Sequence, residues 1–231
     1  GRLCAVVIVH PFGFPARAEP FRARGLMVVE DCAQAIGAAD GDRPVGSRGE
    51  IAIFSFSPTK IITCGGPGGA LTSSQAALIH RARDLAIHDE REDARSRVNG
   101  LMGDLHAAIA GVQVGRLREF RTRRDVIAAR YDEAFQSSRL ERVTALPSTR
   151  PIVYRYIVRT SDAMSLIARL EERGITARRP VFSPLHRMVA ASGTFPGTEE
   201  AHRELVSLPI YPALGDDEVE TIIEEVRECL P

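Results

Sequence analysis

Residues 26–60, LMVVEDCAQAIGAADGDRPVGSRGEIAIFSFSPTK, decide the fold class of this chain. Leu26–Val29 is a short apolar run that ends on the acidic pair Glu30–Asp31. Ile51–Phe56 is a second such run, and a loop with Pro58 and Lys60 follows it. Polar residues at the carboxyl end of a strand stand where open α/β sheets bind ligands. The stretch therefore predicts an α/β protein with its chemistry at strand ends.

The pattern extends in both directions. Cys4–Val9 is a continuous apolar run rich in β-branched residues, which predicts a strand buried on both faces of a parallel sheet. Pro11, Gly13 and Pro15 break it, and Ala16–Arg24 reads as a short helix closed by Gly25. Beyond Lys60 come four glycines, a strand at Gly69–Thr72, and a helix to about Leu85 capped by Ser73 or Ser74. A polar connection over 86–100 leads to one long helix, Asp104–Phe135, whose arginines at 121, 123 and 124 read as a solvated face. A strand at Ile152–Arg159, a helix at Asp162–Arg173, a strand at Ile175–Arg178, a Pro- and Gly-rich loop and a helix at Asp216–Cys229 complete the chain. Two domains are predicted, 1–135 and a small α/β domain at 136–231.

Composition excludes several function classes. Thirty basic residues balance 30 acidic ones with no basic stripe, and 6% aromatic content without Trp offers little for stacking bases, so nucleic acid and anionic membrane surfaces are poor partners. Cys4, Cys32, Cys64 and Cys229 are far apart, with neither a disulfide framework nor a zinc-type pair. No metal site is implied. With no signal-peptide pattern and no apolar run of membrane-spanning length, the chain reads as cytoplasmic. It opens at Gly1, without Met, almost directly on a strand, which reads as a fragment.

Of the 30 basic residues 29 are arginine, and Lys60 is the single lysine. Arginine stays protonated, whereas lysine can lose its proton and condense with an aldehyde. A unique lysine in a glycine-rich loop beyond a strand is thus a candidate imine former, although a lone lysine can also be mere surface. Asp31 could cap a helix, or it could pair the pyridinium nitrogen of pyridoxal phosphate and keep it protonated. Gln34 could hydrogen-bond a ring substituent, Ala33 is small enough for a flat ring, and Ser55 and Ser57 suit a phosphate. His10 stands at a strand end, open to a substrate or a structural role, and His186 lies in SPLHRM.

The segments VVEDCAQAIGA, GSRGEIAIFSFSPTK, GGPGGALTS, VHPFG, NGLMGDLHAAIAGVQVGRL and SLPIYPAL, in this order apart from VHPFG near the start, resemble the DegT/DnrJ/EryC1/StrS aminotransferases. The resemblance implies the type I pyridoxal-phosphate transferase fold: a large domain with a parallel-rich sheet, incomplete here at its N-terminus, plus a small C-terminal α/β domain. It implies pyridoxal 5'-phosphate bound through Lys60, with Asp31 on the ring nitrogen, Gln34 on the ring hydroxyl and Ser55 on the phosphate. Asn99 is then the residue that reaches a neighbouring subunit's cofactor, so a homodimer is implied, and His186 corresponds to a position near the sugar. The implied reaction passes an amino group from glutamate or glutamine to a nucleotide-linked keto sugar or a cyclitol. A lysine at position 60 implies transamination, since a dehydratase branch of the family has histidine there. The sequence departs from the family pattern at Leu101, where a basic residue is usual, at Pro67 within the glycines, and in lacking the segment that precedes VHPFG in relatives. These departures leave a second reading, a non-catalytic or regulatory protein on the same fold.

Overall fold

The computed structural model describes residues 3–89 and 92–230, so two positions of the polar connection, 90 and 91, and the terminal residues lie outside the described part. The chain divides into two compact units, Gly1–Glu119 with Ala145–Ile152, and Phe120–Thr144 with Val153–Pro231. In chain order the first unit contains β1 (Ala5–Val9), α1 (Glu19–Arg22), β2 (Met27–Asp31), β3 (Ala39–Asp40), β4 (Arg43–Pro44), β5 (Ile51–Ser55), β6 (Gly69–Thr72), α2 (Ala76–Ala86) and α3 (Asp104–Gly115). Then come α4 (Leu117–Phe135) and β7 (Glu141–Arg142), with β8 (Thr149–Arg150) returning to the first unit. The second unit continues through β9 (Tyr156–Arg159), α5 (Ala163–Glu172), α6 (Leu185–Met188), α7 (Pro196–Glu204), β10 (Leu205–Leu208) and α8 (Asp216–Cys229).

The main sheet of the first unit has the order β1–β2–β5–β6. Its first three strands are parallel and β6 runs antiparallel to β5. The register pairs Val9 with Asp31, Asp31 with Ile53, and Ser55 with Gly69. Paired residues share a face and alternate residues change face. One face therefore carries Ile8, Val28 and Glu30, and it is covered: Ile8 and Val28 pack with Ala18, flanked by Val6, Ala16 and Phe21. The other carries Val7, Val9, Met27, Ile53 and Leu71, each at least 36% exposed. The expectation that Cys4–Val9 is buried on both faces is thus corrected, because among the described residues only one face of β1 meets a packing layer. A smaller antiparallel sheet, β4–β3–β8, lies in the same unit.

Several boundaries differ from the sequence reading for local reasons. The long helix is two, broken where Gly115, a poor helix former, precedes Arg116 with φ −94° and ψ 2°. Helix α2 begins later than its serines suggest, because the Ser73 hydroxyl donates to the Glu50 carbonyl and accepts from Gln75 N–H, leaving Gln75 in the cap position. The Pro- and Gly-rich loop after Arg178 contains α6, α7 and β10, while Ile175–Arg178 contributes only a bridge from Arg178 to Ser207.

The second unit is built on the antiparallel sheet β10–β9–β7. Its core joins Ile127, Tyr131 and Phe135 of α4 to Leu166 and Leu170 of α5 and Val219, Ile222 and Val226 of α8. Those α4 contacts explain why the division falls at Phe120 rather than at 135. Arg124 belongs to this core and not to a solvated face. It is 5% exposed and donates to the carbonyls of Val153 (3.1 Å), Tyr154 (3.2 Å) and Ile210 (2.9 Å). Burial lowers its pKa to about 10, and the three carbonyls, all on one terminal nitrogen, offset part of the cost of burying the charge, while Nε has no hydrogen-bond partner among the described residues. Among the described residues no helix is long and apolar enough to cross a membrane.

Candidate active site

Asp31 is the last residue of β2, one strand from Ser55 on the open face of the sheet. Its Oδ1 accepts the N–H of Ala33 at 3.0 Å, a turn that carries the chain past the strand end to Gln34. Gln34 Oε1 accepts the N–H of Phe12 at 2.8 Å, so the orientation of its amide is fixed by a backbone donor. Ser55 Oγ lies 3.3 Å from Ser57 Oγ, and the Ser57 carbonyl accepts the N–H of Lys60 at 3.0 Å. Lys60 is partly buried, in the turn directly beyond β5. Strand register thus brings Asp31 and Ser55 to one face, and the turns that leave β2 and β5 at the same end carry Ala33, Gln34 and Lys60.

Three other predicted positions have surroundings of their own. Asn99 is exposed and lines an open cavity of about 570 Å3 along β6, with Gly69, Leu71, Leu101 and Met102. His186 lies in the second unit, where its Nε2 meets Glu199 at 2.7 Å and its ring stacks on Phe195 with centroids 4.6 Å apart. Hydrogen bonds from Arg187 and then from His186 hold the Glu199 carboxyl at about 2. His10 corrects a sequence expectation. It is 1% exposed on the covered side of the sheet, opposite Asp31, and both ring nitrogens are engaged: Nδ1 accepts Ala16 N–H at 2.9 Å, and Nε2 faces Glu30 at 3.2 Å. It takes the structural role rather than the substrate role.

The sequence reading missed what His10 meets. Glu30 is 1% exposed and fully hydrogen-bonded: Oε1 accepts the N–H groups of Arg48 (2.7 Å) and Gly49 (2.6 Å), and Oε2 accepts that of Gly46 (2.9 Å) beside the His10 contact. The GSRG segment wraps this carboxylate. Gly46 has φ +86°, and a Cβ there would stand 2.7 Å from the Phe54 ring; one at Gly49 would stand 2.7 Å from the Val28 carbonyl. The detectable signal was strand phase, since alternation in MVVED puts Glu30 on the side of Val28, facing inward.

His10, Glu30 and Cys32 bring one potential metal-ligand atom each within 4.8 Å of one another. Their chemistry is that of a hydrogen-bond knot. Glu30's oxygens and His10 Nδ1 already accept backbone N–H groups, and burial, followed by the charges of Glu30 and Asp31, pushes the Cys32 thiol far above its usual value, so it offers no thiolate.

Burial alone would raise the Glu30 carboxyl, but the hydrogen bonds from His10, Gly46, Gly49 and Arg48 outweigh it and hold it at about 2, against an ordinary 4.5. A depressed carboxylate stabilises the fold above its unfolded pKa, and that stability is lost as pH falls through the folded value. Wild-type chain should therefore lose about 3 kcal/mol between pH 5 and 2 from this group. Denaturant unfolding across that window should show a shallower acid slope in Glu30→Gln; equal slopes would refute the assignment.

Residues 1–227 match the DegT/DnrJ/EryC1/StrS aminotransferase family. A dTDP-3-amino-3,6-dideoxy-alpha-D-galactopyranose transaminase of Aneurinibacillus thermoaerophilus is 33% identical over 98% of this chain and 65% of its own length. A pleiotropic regulatory protein of Geobacillus stearothermophilus is 30% identical over 97% of this chain and 64% of its own. Among solved structures, the aminotransferase TlmJ of Streptoalloteichus hindustanus superposes with a TM-score of 0.90 at 35% identity, covering 98% of this chain and 65% of that one. The chain spans about 65% of the length of the curated relatives it matches.

Proposed function

Because the chain belongs to the DegT/DnrJ/EryC1/StrS aminotransferase family, we propose that it carries the lysine side of a pyridoxal-phosphate site. That site passes an amino group from glutamate or glutamine to a nucleotide-linked keto sugar or a cyclitol. The observation that carries this reading is the position of the only lysine, just beyond β5, where Asp31 and Ser55 share a sheet face one strand apart.

The donor set suits the cofactor. When bound, pyridoxal phosphate supplies an electrophilic aldehyde carbon and an electron-withdrawing ring. Lys60 would hold that carbon through its primary amine and, when the donor's amine takes its place there, would serve as the base for the proton on the donor's α-carbon. Asp31, with Oδ1 on Ala33 N–H, keeps a proton on the ring nitrogen by charge. Gln34 has its carbonyl oxygen on Phe12 and can offer only its amide hydrogens to a ring oxygen. Ala33 leaves space for a flat ring, and the hydroxyls of Ser55 and Ser57 are donors for the phosphate dianion. Asn99, exposed at the edge of the sheet, is the residue we assign to a neighbouring subunit's cofactor, so the working form is a homodimer. His186 is the sugar-side candidate.

A regulatory role is the second reading, favoured by the name of the Geobacillus relative. A protein that never used the cofactor would have no reason to keep its one lysine in this turn. The test is direct. Borohydride reduction of the chain with pyridoxal phosphate, followed by peptide mapping, should place the pyridoxyl group on Lys60. Label elsewhere, or none, sinks the proposal.

A further inference from the structure

We propose that Glu30 and His10 are positioning residues for Gln34: through the turn at 10–16 they fix the Gln34 amide so that it meets a ligand as a donor only. The inference rests on the site reading above and deepens it, since it sets the chemical class of the atom Gln34 can serve, a hydrogen-bond acceptor and not a donor.

The turn is held at both ends by one residue, through its backbone at the start and its imidazole at the close. His10 N–H donates to the Asp31 carbonyl at 3.1 Å, extending the β1–β2 pairing, and His10 Nδ1 accepts the N–H of Ala16 six residues on. Because Nδ1 accepts a backbone hydrogen, the ring proton must sit on Nε2, where it is donated to Glu30. Glu30 in turn is anchored by three backbone N–H groups from 46–49, so the imidazole meets a fixed acceptor and cannot rotate without giving up its bonds to Glu30 and Ala16.

Between those ends the backbone adopts a conformation it would not choose. Phe12 has φ +59°, a left-handed conformation uncommon for a residue with a bulky side chain. Gly13, at φ +92°, passes so close to Ile152 that a Cβ would fall 1.8 Å from its carbonyl oxygen. Ile152 N–H closes that contact on the Gly13 carbonyl at 3.1 Å. The left-handed turn aims Phe12 N–H at Gln34 Oε1. If the imidazole clamp is lost, the turn can relax, Phe12 N–H swings away, and the Gln34 amide is free to flip. A flipped amide would present its oxygen to the ligand and repel an anionic acceptor.

The experiment is residue-resolved hydrogen exchange on the cofactor-free 231-residue chain, comparing wild type with His10→Ala, the milder Glu30→Gln, and Val28→Ala. The last removes buried side-chain volume from the same sheet and serves as a control for general destabilisation. We expect the Phe12 and Ala16 amides to exchange at least about tenfold faster in the first two variants relative to β5 amides, the loss of one hydrogen bond's protection. In Val28→Ala all these amides should speed up together. Unchanged relative protection at Phe12 in both His10→Ala and Glu30→Gln would overturn the proposal. A pyridoxal-phosphate titration of the same proteins tests the underlying site reading separately. If wild type binds, His10→Ala should weaken it, and the double variant with Gln34→Ala should be no weaker than Gln34→Ala alone, whereas multiplying effects would overturn the coupling. If wild type takes up no cofactor, the site reading fails and the exchange result alone decides the positioning claim.

Discussion

Lys60→Arg is expected to lower amino transfer from glutamate by at least about a thousandfold, the scale of losing both the nucleophile and the general base from one residue. Arginine is the informative replacement because it keeps the positive charge and much of the stem. Any help that charge gives in attracting a phosphate survives, while the ability to lose a proton near neutral pH does not. Since the other 29 basic residues are already arginine, none can substitute for the missing amine. The measurement is single-turnover conversion of glutamate to its keto acid by the protein saturated with pyridoxal phosphate. Turnover within about tenfold of wild type would show that Lys60 is ordinary surface chemistry and that the family's reaction does not run through this position.

Much of the strand layout is legible in the amino-acid sequence alone. The runs at 4–9, 26–29, 51–56 and 69–72 correspond to β1, β2, β5 and β6 almost unchanged, because a short apolar run between breakers is enough to mark a strand. The assignments that fail depend on partners distant in sequence. Arg124 reads as exposed among Arg121 and Arg123, yet three carbonyls from 153–154 and 210 take it into the core. β10 is hidden in a Pro- and Gly-rich stretch because its pairing with β9 decides it, not its own composition. For the site, the residue types are readable but their sides are not. His10 and Asp31 stand at neighbouring strand ends and face opposite ways, and only the register and the buried contact with Glu30 separate a buried, structural histidine from a carboxylate on the open face.

That separation makes Asp31→Asn the sharpest test of the cofactor assignment. The substitution is close to isosteric, and an asparagine Oδ1 can still accept the Ala33 N–H that Asp31 Oδ1 accepts at 3.0 Å, so the turn leading to Gln34 need not move. Only the charge goes. An opposite charge within contact range shifts a titrating partner by about 1 to 3 pKa units, so the protonated ring loses roughly 10- to 1000-fold in stability relative to the neutral one. Turnover should fall by about a hundredfold, while Lys60 can still be labelled by borohydride in the presence of pyridoxal phosphate. The pH dependence adds a second readout. With the carboxylate gone, the residual activity should rise toward acid as solvent protonates the ring, whereas wild type keeps that proton to higher pH. Near-normal turnover, or a loss of activity accompanied by loss of Lys60 labelling, would assign Asp31 to the turn alone and leave the ring nitrogen without its partner on β2.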